Sequence, residues 1–203
     1  MTGDAKWDRR LGIRTAGRDA AAEDAHHRAY EPTPYAVLER LAESGWIGPD
    51  NLLADYGCGK GRVGLFLSRE TGCRSVGIDF NPALVAEAEE NRRTMTGRAD
   101  TVFLTEAAEK WDVPTDADRF YFFNPFSAGI LQSVLARILA SVYDHPRPVL
   151  LLFYYPSEDY ISLLTHEDEL VPAGELDCRD LFPGDGRERV LAFGCGGAWT
   201  RRP

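Results

Sequence analysis

The run Leu52-Leu53-Ala54-Asp55-Tyr56-Gly57-Cys58-Gly59-Lys60-Gly61-Arg62-Val63 constrains this chain more than any other segment. An apolar stretch that ends in one acid and then in alternating glycines has the form of a buried strand entering a turn, with a helix behind it. Glycine admits positive φ and leaves no Cβ where backbone must approach a ligand closely. The helix that follows, from Arg62 through Leu67, points its first free N–H groups at the same place. The segment therefore predicts a strand-loop-helix unit that binds a nucleotide-like molecule.

From residue 51 onward, short β-rich runs alternate with helical patterns, which predicts an α/β fold with a doubly wound sheet. The expected strands are 52–56, 74–79, 101–105, 119–123 and 149–154, followed by 170–177 and 188–193 as a terminal antiparallel hairpin, seven in all in a mostly parallel, Rossmann-like sheet. Asn81-Pro82 reads as an N-cap with proline at the first helical position, and Gly97 as that helix's end. Ile130, Leu131, Val134, Leu135, Ile138, Leu139 and Val142 recur at helical spacing. Residues 1–30 are expected to form an N-terminal arm or short helices that cover the domain. Residues 31–203 are expected to form the catalytic domain, its first helix running through Leu38, Leu41 and Trp46.

At 203 residues the chain suits one domain of ordinary size. It contains no apolar run near the ~18 residues that span a bilayer, and its first residues lack a signal peptide's apolar core, so a cytoplasmic protein with no membrane partner is expected. The net charge of −9 disfavours non-specific nucleic-acid binding. The cysteines at 58, 73, 178 and 195 and the histidines at 26, 27, 145 and 166 show no metal-ligand spacing, so no metal is expected and the thiols are expected to be reduced and structural.

Three readings compete for the loop. A Walker-type phosphate loop needs Ser or Thr after Gly-Lys, and here Gly61 follows Lys60. A dinucleotide fingerprint can be drawn through Gly59, Gly61 and Gly64 with Asp79 about 20 residues on, and it leaves an NAD-dependent oxidoreductase as a rival. That frame leaves Gly57 without a role and sets the Asp55 carboxylate where a pyrophosphate must sit. A carboxylate there suits a cationic ligand better. The segment Leu53 to Gly61 resembles the first motif of the class I S-adenosylmethionine-dependent methyltransferases. The resemblance implies S-adenosylmethionine as cofactor, with Asp55 in the acidic position and Gly57, Gly59 and Gly61 against the methionine moiety. It further implies that Asp79 accepts hydrogen bonds from the ribose hydroxyls and that Phe80 or Ile78 packs on the adenine. Thr105-Glu106-Ala107 stands where the family has Gly-Asp-Ala, which implies Glu106 and Ala107 at the adenine.

Phe123-Asn124-Pro125-Phe126-Ser127 is similar to the Asn/Asp-Pro-Pro-Tyr/Phe motif of amino-methylating enzymes, with one proline where that motif has two. By that likeness Asn124 and Pro125 orient the acceptor and Phe126 stacks on it, so the expected reaction is methyl transfer to nitrogen. Otherwise the same residues form a strand-to-helix turn capped by Ser127. Trp7 to Gly17 and Tyr30-Glu31-Pro32-Thr33-Pro34-Tyr35 resemble N-terminal segments of a bacterial subgroup of small class I enzymes with Asn-Pro-Phe after strand four, which implies that Tyr30 and Thr33 cover the cofactor. The bland alternative makes Thr33 a helix cap. Tyr154 and Tyr155 are further candidates, as pocket lining or as a weak base. The acceptor itself, whether protein side chain, small molecule or nucleobase, is left open, as is a catalytically silent module that only binds the cofactor.

Overall fold

The computed structural model describes residues 3–18 and 28–197. Of the expected arm, residues 1, 2 and 19–27 lie outside the described residues, as do 198–203 of the domain. The elements run α1 (Gly3–Leu11), α2 (Tyr35–Glu43), β1 (Leu52–Tyr56), α3 (Arg62–Thr71), β2 (Arg74–Asp79), α4 (Pro82–Thr94), β3 (Asp100–Thr105), β4 (Arg119–Phe122), α5 (Ala128–Asp144), β5 (Val149–Tyr154), α6 (Glu158–His166), β6 (Val171–Asp177) and β7 (Arg189–Cys195).

The strands form one seven-stranded sheet in the order β3-β2-β1-β4-β5-β7-β6. β1 to β5 are mutually parallel, and β7 pairs antiparallel with both β5 and β6. Strands buried on both faces read as unbroken apolar runs, and every residue of β1 and β5 is indeed buried. Side chains alternate between two cores. Leu53, Leu150, Leu152 and Tyr121 face α2 and α3, whereas Ala54, Phe120, Leu151 and Phe153 face α5 and α6. In the second core, register sets Tyr56 beside Phe122 and Phe122 beside Phe153. Their rings stack at 5.0 Å and 4.7 Å, nearly parallel at 6° and 8°. This row of cross-strand pairs fixes the central register.

The helix signals in the sequence act locally. Asn81 Oδ1 accepts from the Ala83 N–H at 3.0 Å with Pro82 in the first turn of α4. α5 buries Leu131, Val134, Leu135, Ile138 and Val142 as one stripe. Several strand ends shift by one or two residues, and three helix boundaries differ from expectation. α4 stops at Thr94, before Gly97, because Met95 turns to an extended conformation with ψ 133°. α2 stops before Trp46, where the Ser44 hydroxyl bonds back to the Leu41 carbonyl. Thr33 is not its cap, a place taken by Pro34.

The N-terminal segment is tied to the domain through Asp8. Its carboxylate is 7% exposed and accepts from the Thr15 N–H (2.8 Å), the Thr15 hydroxyl (2.7 Å), the Ala16 N–H (3.1 Å) and the Tyr35 hydroxyl (2.7 Å). Arg62, at the start of α3, is 2% exposed and lies 3.8 Å from the same carboxylate. Removing one partner of a buried, hydrogen-bonded charge leaves the others unpaired. Asp8→Ala should therefore cost about 3 kcal/mol or more, read as a lower urea midpoint at unchanged slope.

Candidate functional site

Strand order reverses at β1, which has β2 on one side and β4 on the other, and in open α/β sheets ligands bind at the strands' C-terminal ends beside such a reversal. A cleft of about 740 Å³ opens there. It runs from Asp79 and Phe80 after β2, past Asp55 and Gly57, to Asn124 after β4 and Tyr155 after β5.

The loop after β1 is held by the end of β2. The Ile78 carbonyl accepts from Gly57 N–H (2.8 Å) and Cys58 N–H (3.1 Å), and Asp79 Oδ2 accepts from Gly59 N–H (2.9 Å). Asp79 Oδ1 accepts from Asn81 N–H at 2.9 Å. Asp79 thus positions the loop through both of its oxygens. Gly57 has φ 74°, and a Cβ there would run into Pro125, so glycine lets the β1 and β4 loops touch. Gly57 reaches the cleft wall. Gly59 lies under the Tyr30 ring and Gly61 against Phe103, so these two act through packing beneath the wall. Burial pushes the Cys58 thiol well above its ordinary range, and all four cysteines are buried and free.

On the β3 side, Glu106 donates its N–H to the Asp79 carbonyl at 3.0 Å and lines the cleft with an exposed side chain. Ala107 falls outside the lining, and its carbonyl accepts from Lys110 (2.9 Å) and Trp111 (3.1 Å). Phe80 is 38% exposed at the mouth, while Ile78 is buried in the wall.

Tyr30 and Thr33 of the N-terminal segment line the cleft. Tyr30 donates from its hydroxyl to the Thr15 carbonyl at 2.6 Å, and the Lys60 ammonium stands 5.5 Å over its ring. The Thr33 hydroxyl pairs with that of Tyr121 at 2.9 Å, and the Thr33 carbonyl accepts from Arg62 at 2.9 Å. Arg62 also donates to Thr15 Oγ1 and to Asp4 Oδ2, both at 2.7 Å, and lies 4.3 Å over the Tyr35 ring. Sequence reasoning did not select Arg62. A cation directly after the last loop glycine, at the first position of an apolar helix, is the signal that marks it.

At the β4 end, Asn124 adopts φ 42°, uncommon for a residue with a side chain. Its Nδ2 donates to the Tyr155 carbonyl at 2.6 Å, and its Oδ1 accepts from Ser157 N–H at 3.0 Å. Tyr155 is itself left-handed at φ 48°. Asn124 therefore clamps the ends of β4 and β5, keeping one N–H and one lone pair uncommitted. Pro125 takes an N–H from Arg28 at 3.2 Å. The Phe126 ring, 4% exposed, packs edge-on against Phe122, so it is core beneath the wall rather than an open stacking face. Ser127 precedes α5 without a side-chain cap bond. Half-buried Phe123, Tyr155 and Phe182 carry the aromatic surface at this end.

Three lining side chains hold a buried polar atom with no hydrogen-bond partner: Asp55 Oδ2, Tyr56 Oη and Arg62 Nη2. Burial, then the Asp79 charge, pushes the Asp55 carboxyl up to about 8. One wall thus holds a carboxyl oxygen and a guanidinium nitrogen that each lack a hydrogen bond.

Comparison with known proteins bears on this geometry. Residues 53–148 match a family model described as a methyltransferase domain. A protein-lysine N-methyltransferase of Saccharolobus islandicus is 33% identical over 79 residues, covering 37% of this chain and 49% of the relative. A geranyl diphosphate 2-C-methyltransferase of Streptomyces coelicolor is 31% identical over 123 residues, covering 56% and 41%. The chain thus spans less than half the length of either relative. An RNA methyltransferase from Salinibacter ruber, solved with S-adenosyl-L-homocysteine, superposes with a TM-score of 0.53 at 20% identity over 82% of this chain and 94% of that one.

The Asp55 carboxyl gives a pH signature. Folding raises its pKa, so between about pH 4 and about pH 8 the unfolded chain has lost a proton that the folded chain keeps. The stability this contributes is complete below pH 4, falls as pH rises through that window and is flat above it. Urea midpoints of Asp55→Asn should gain on wild type from pH 5 to pH 8, and parallel profiles would count against a buried, protonated Asp55.

Proposed function

We propose that this chain, whose residues 53–148 form a class I S-adenosylmethionine-dependent methyltransferase domain, transfers the methyl group of S-adenosylmethionine to a nitrogen acceptor. One observation carries the cofactor's placement. The amino-acid end of S-adenosylmethionine is an ammonium beside a carboxylate, and the cleft wall offers an unpaired carboxyl oxygen on Asp55 and an unpaired guanidinium N–H on Arg62. Each ligand charge would complete a charge-assisted hydrogen bond that the free protein leaves unmade. A dinucleotide's pyrophosphate would instead bring no cation to pair with Asp55, so it would gain nothing from that carboxyl's ionisation. The residues present therefore fit the cofactor.

When bound, the cofactor supplies a methyl group activated by a sulfonium. The chain's own contribution is placement and exclusion of water. Asp79 fixes the loop and lines the cleft where ribose hydroxyls would lie, Glu106 offers a carboxylate beside it, and Phe80 a ring at the mouth for the base. Tyr30 and Thr33 close the methionine side through Thr15 and Tyr121. Asn124 fixes the wall that an acceptor would meet, and its uncommitted N–H and lone pair suit a nitrogen group. The Tyr154 phenol, raised above its ordinary range by burial and by donating to Glu188, is not a base at neutral pH.

Calorimetric titration with S-adenosylhomocysteine should show saturable binding, and NAD none. The ligand's ammonium favours ionised Asp55, so binding at pH 7 should release a proton, seen as a heat that differs between phosphate and Tris buffers. The difference should vanish above about pH 9, once Asp55 is already ionised. NAD binding in place of S-adenosylhomocysteine would sink the reading. Labelled S-adenosylmethionine incubated with cell extract should yield a labelled product, whereas tight binding without transfer would identify a silent binding module.

A further inference from the structure

The far end of the cleft differs in chemistry from the cofactor end. Phe123 and Tyr154 rings meet at 4.6 Å and 52°, Tyr155 follows at 6.2 Å from Tyr154, and Phe182 joins the wall from the β6–β7 hairpin. Glu188 lies among them. Its position is fixed by backbone: its carbonyl accepts from Cys178 N–H at 2.9 Å, and the next carbonyl, of Arg189, accepts from Tyr155 N–H at 2.9 Å. Its carboxylate is fixed by the Tyr154 hydroxyl, which donates to Oε2 at 2.7 Å. Oε1 has no hydrogen bond among the described residues.

A carboxylate oxygen left open inside a wall of rings suits one class of ligand. Ring faces attract a cation while packing on its alkyl stem, and the carboxylate pairs with its charge. The rim already shows the first of these contacts, because the Arg187 guanidinium sits 4.4 Å over the Tyr155 ring. Asp159 and Glu31 add negative charge to the lining, and Arg28 and Arg18 face it from the N-terminal segment.

We propose that this end of the cleft is the acceptor site, that Glu188 is its specificity-determining residue, and that the acceptor is an alkylamine which arrives as its ammonium ion. The ammonium binds Glu188 Oε1, and its alkyl stem lies among Phe123, Tyr154 and Phe182. An ammonium has no lone pair, so one N–H proton must leave to solvent before the nitrogen can act. The assignment rests on the methyltransferase reading for its meaning, but binding at this end can be measured without the cofactor.

The test uses the full chain and saturation-transfer NMR with n-butylammonium and, separately, butyrate, each with and without S-adenosylhomocysteine. Wild type should bind n-butylammonium and not butyrate. Glu188→Gln keeps an oxygen for the Tyr154 hydroxyl, and should weaken n-butylammonium about tenfold while calorimetric binding of S-adenosylhomocysteine stays unchanged. Equal binding by the variant, no binding by wild type, or a preference for butyrate, which would place the recognition on Arg28, each overturns the proposal. If S-adenosylhomocysteine fails to bind while n-butylammonium still binds through Glu188, the methyltransferase reading fails and the amine site stands.

Discussion

One buried guanidinium joins most of what matters here. Arg62 begins the helix behind the glycine loop, yet its partners come from α1, from the Thr15 turn and from the Thr33 segment. A charge that is 2% exposed is tolerable only when paired and hydrogen-bonded. The N-terminal residues are thus the other half of an arrangement that would otherwise leave a cation stranded in the core. Nη2 makes no hydrogen bond, its nearest anion being the Asp8 carboxylate at 3.8 Å, so the arrangement is one hydrogen bond short of complete on a residue that lines the cleft.

A second constraint acts across the cleft. Asn124 and Tyr155 both take left-handed backbone conformations, at the ends of adjacent strands, and a hydrogen bond of 2.6 Å joins them. Such conformations cost about 1–3 kcal/mol each for residues with side chains and persist where the surroundings over-determine them. Here the surroundings are the stacked row Tyr56, Phe122 and Phe153 below and the Ser157 turn above. The cost falls where two loops must turn away from the sheet together to leave a space between them.

The sheet was legible because burial on both faces writes itself into sequence. β1, β2 and β5 occupy the residues their apolar runs indicate, and Asn81-Pro82 announces α4 through purely local bonding. The loop glycines also marked the site, although Gly59 and Gly61 act beneath the wall. What sequence did not disclose depends on partners far apart in the chain. Arg62 meets Asp4 across 58 residues, and Tyr154 meets Glu188 across 34. Nothing local marks either pair. The motif likeness at Asn124 falls on a residue of the cleft lining, but neither the bonds of its carboxamide to two backbone groups nor the packing of the Phe126 ring in the core can be read from the motif.

The position of β7 has a consequence for how the protein is made. It is the last of the described strands in sequence, yet it lies between β5 and β6 rather than at an edge. β5 is apolar and buried along its whole length, so until residues up to Cys195 have left the ribosome its outer edge is an open template for pairing. β6 is synthesised before the strand it must pair with and waits meanwhile. The same closing strand brings Glu188 to Tyr154, so the far wall of the cleft comes into being only as the sheet loses its most adhesive edge.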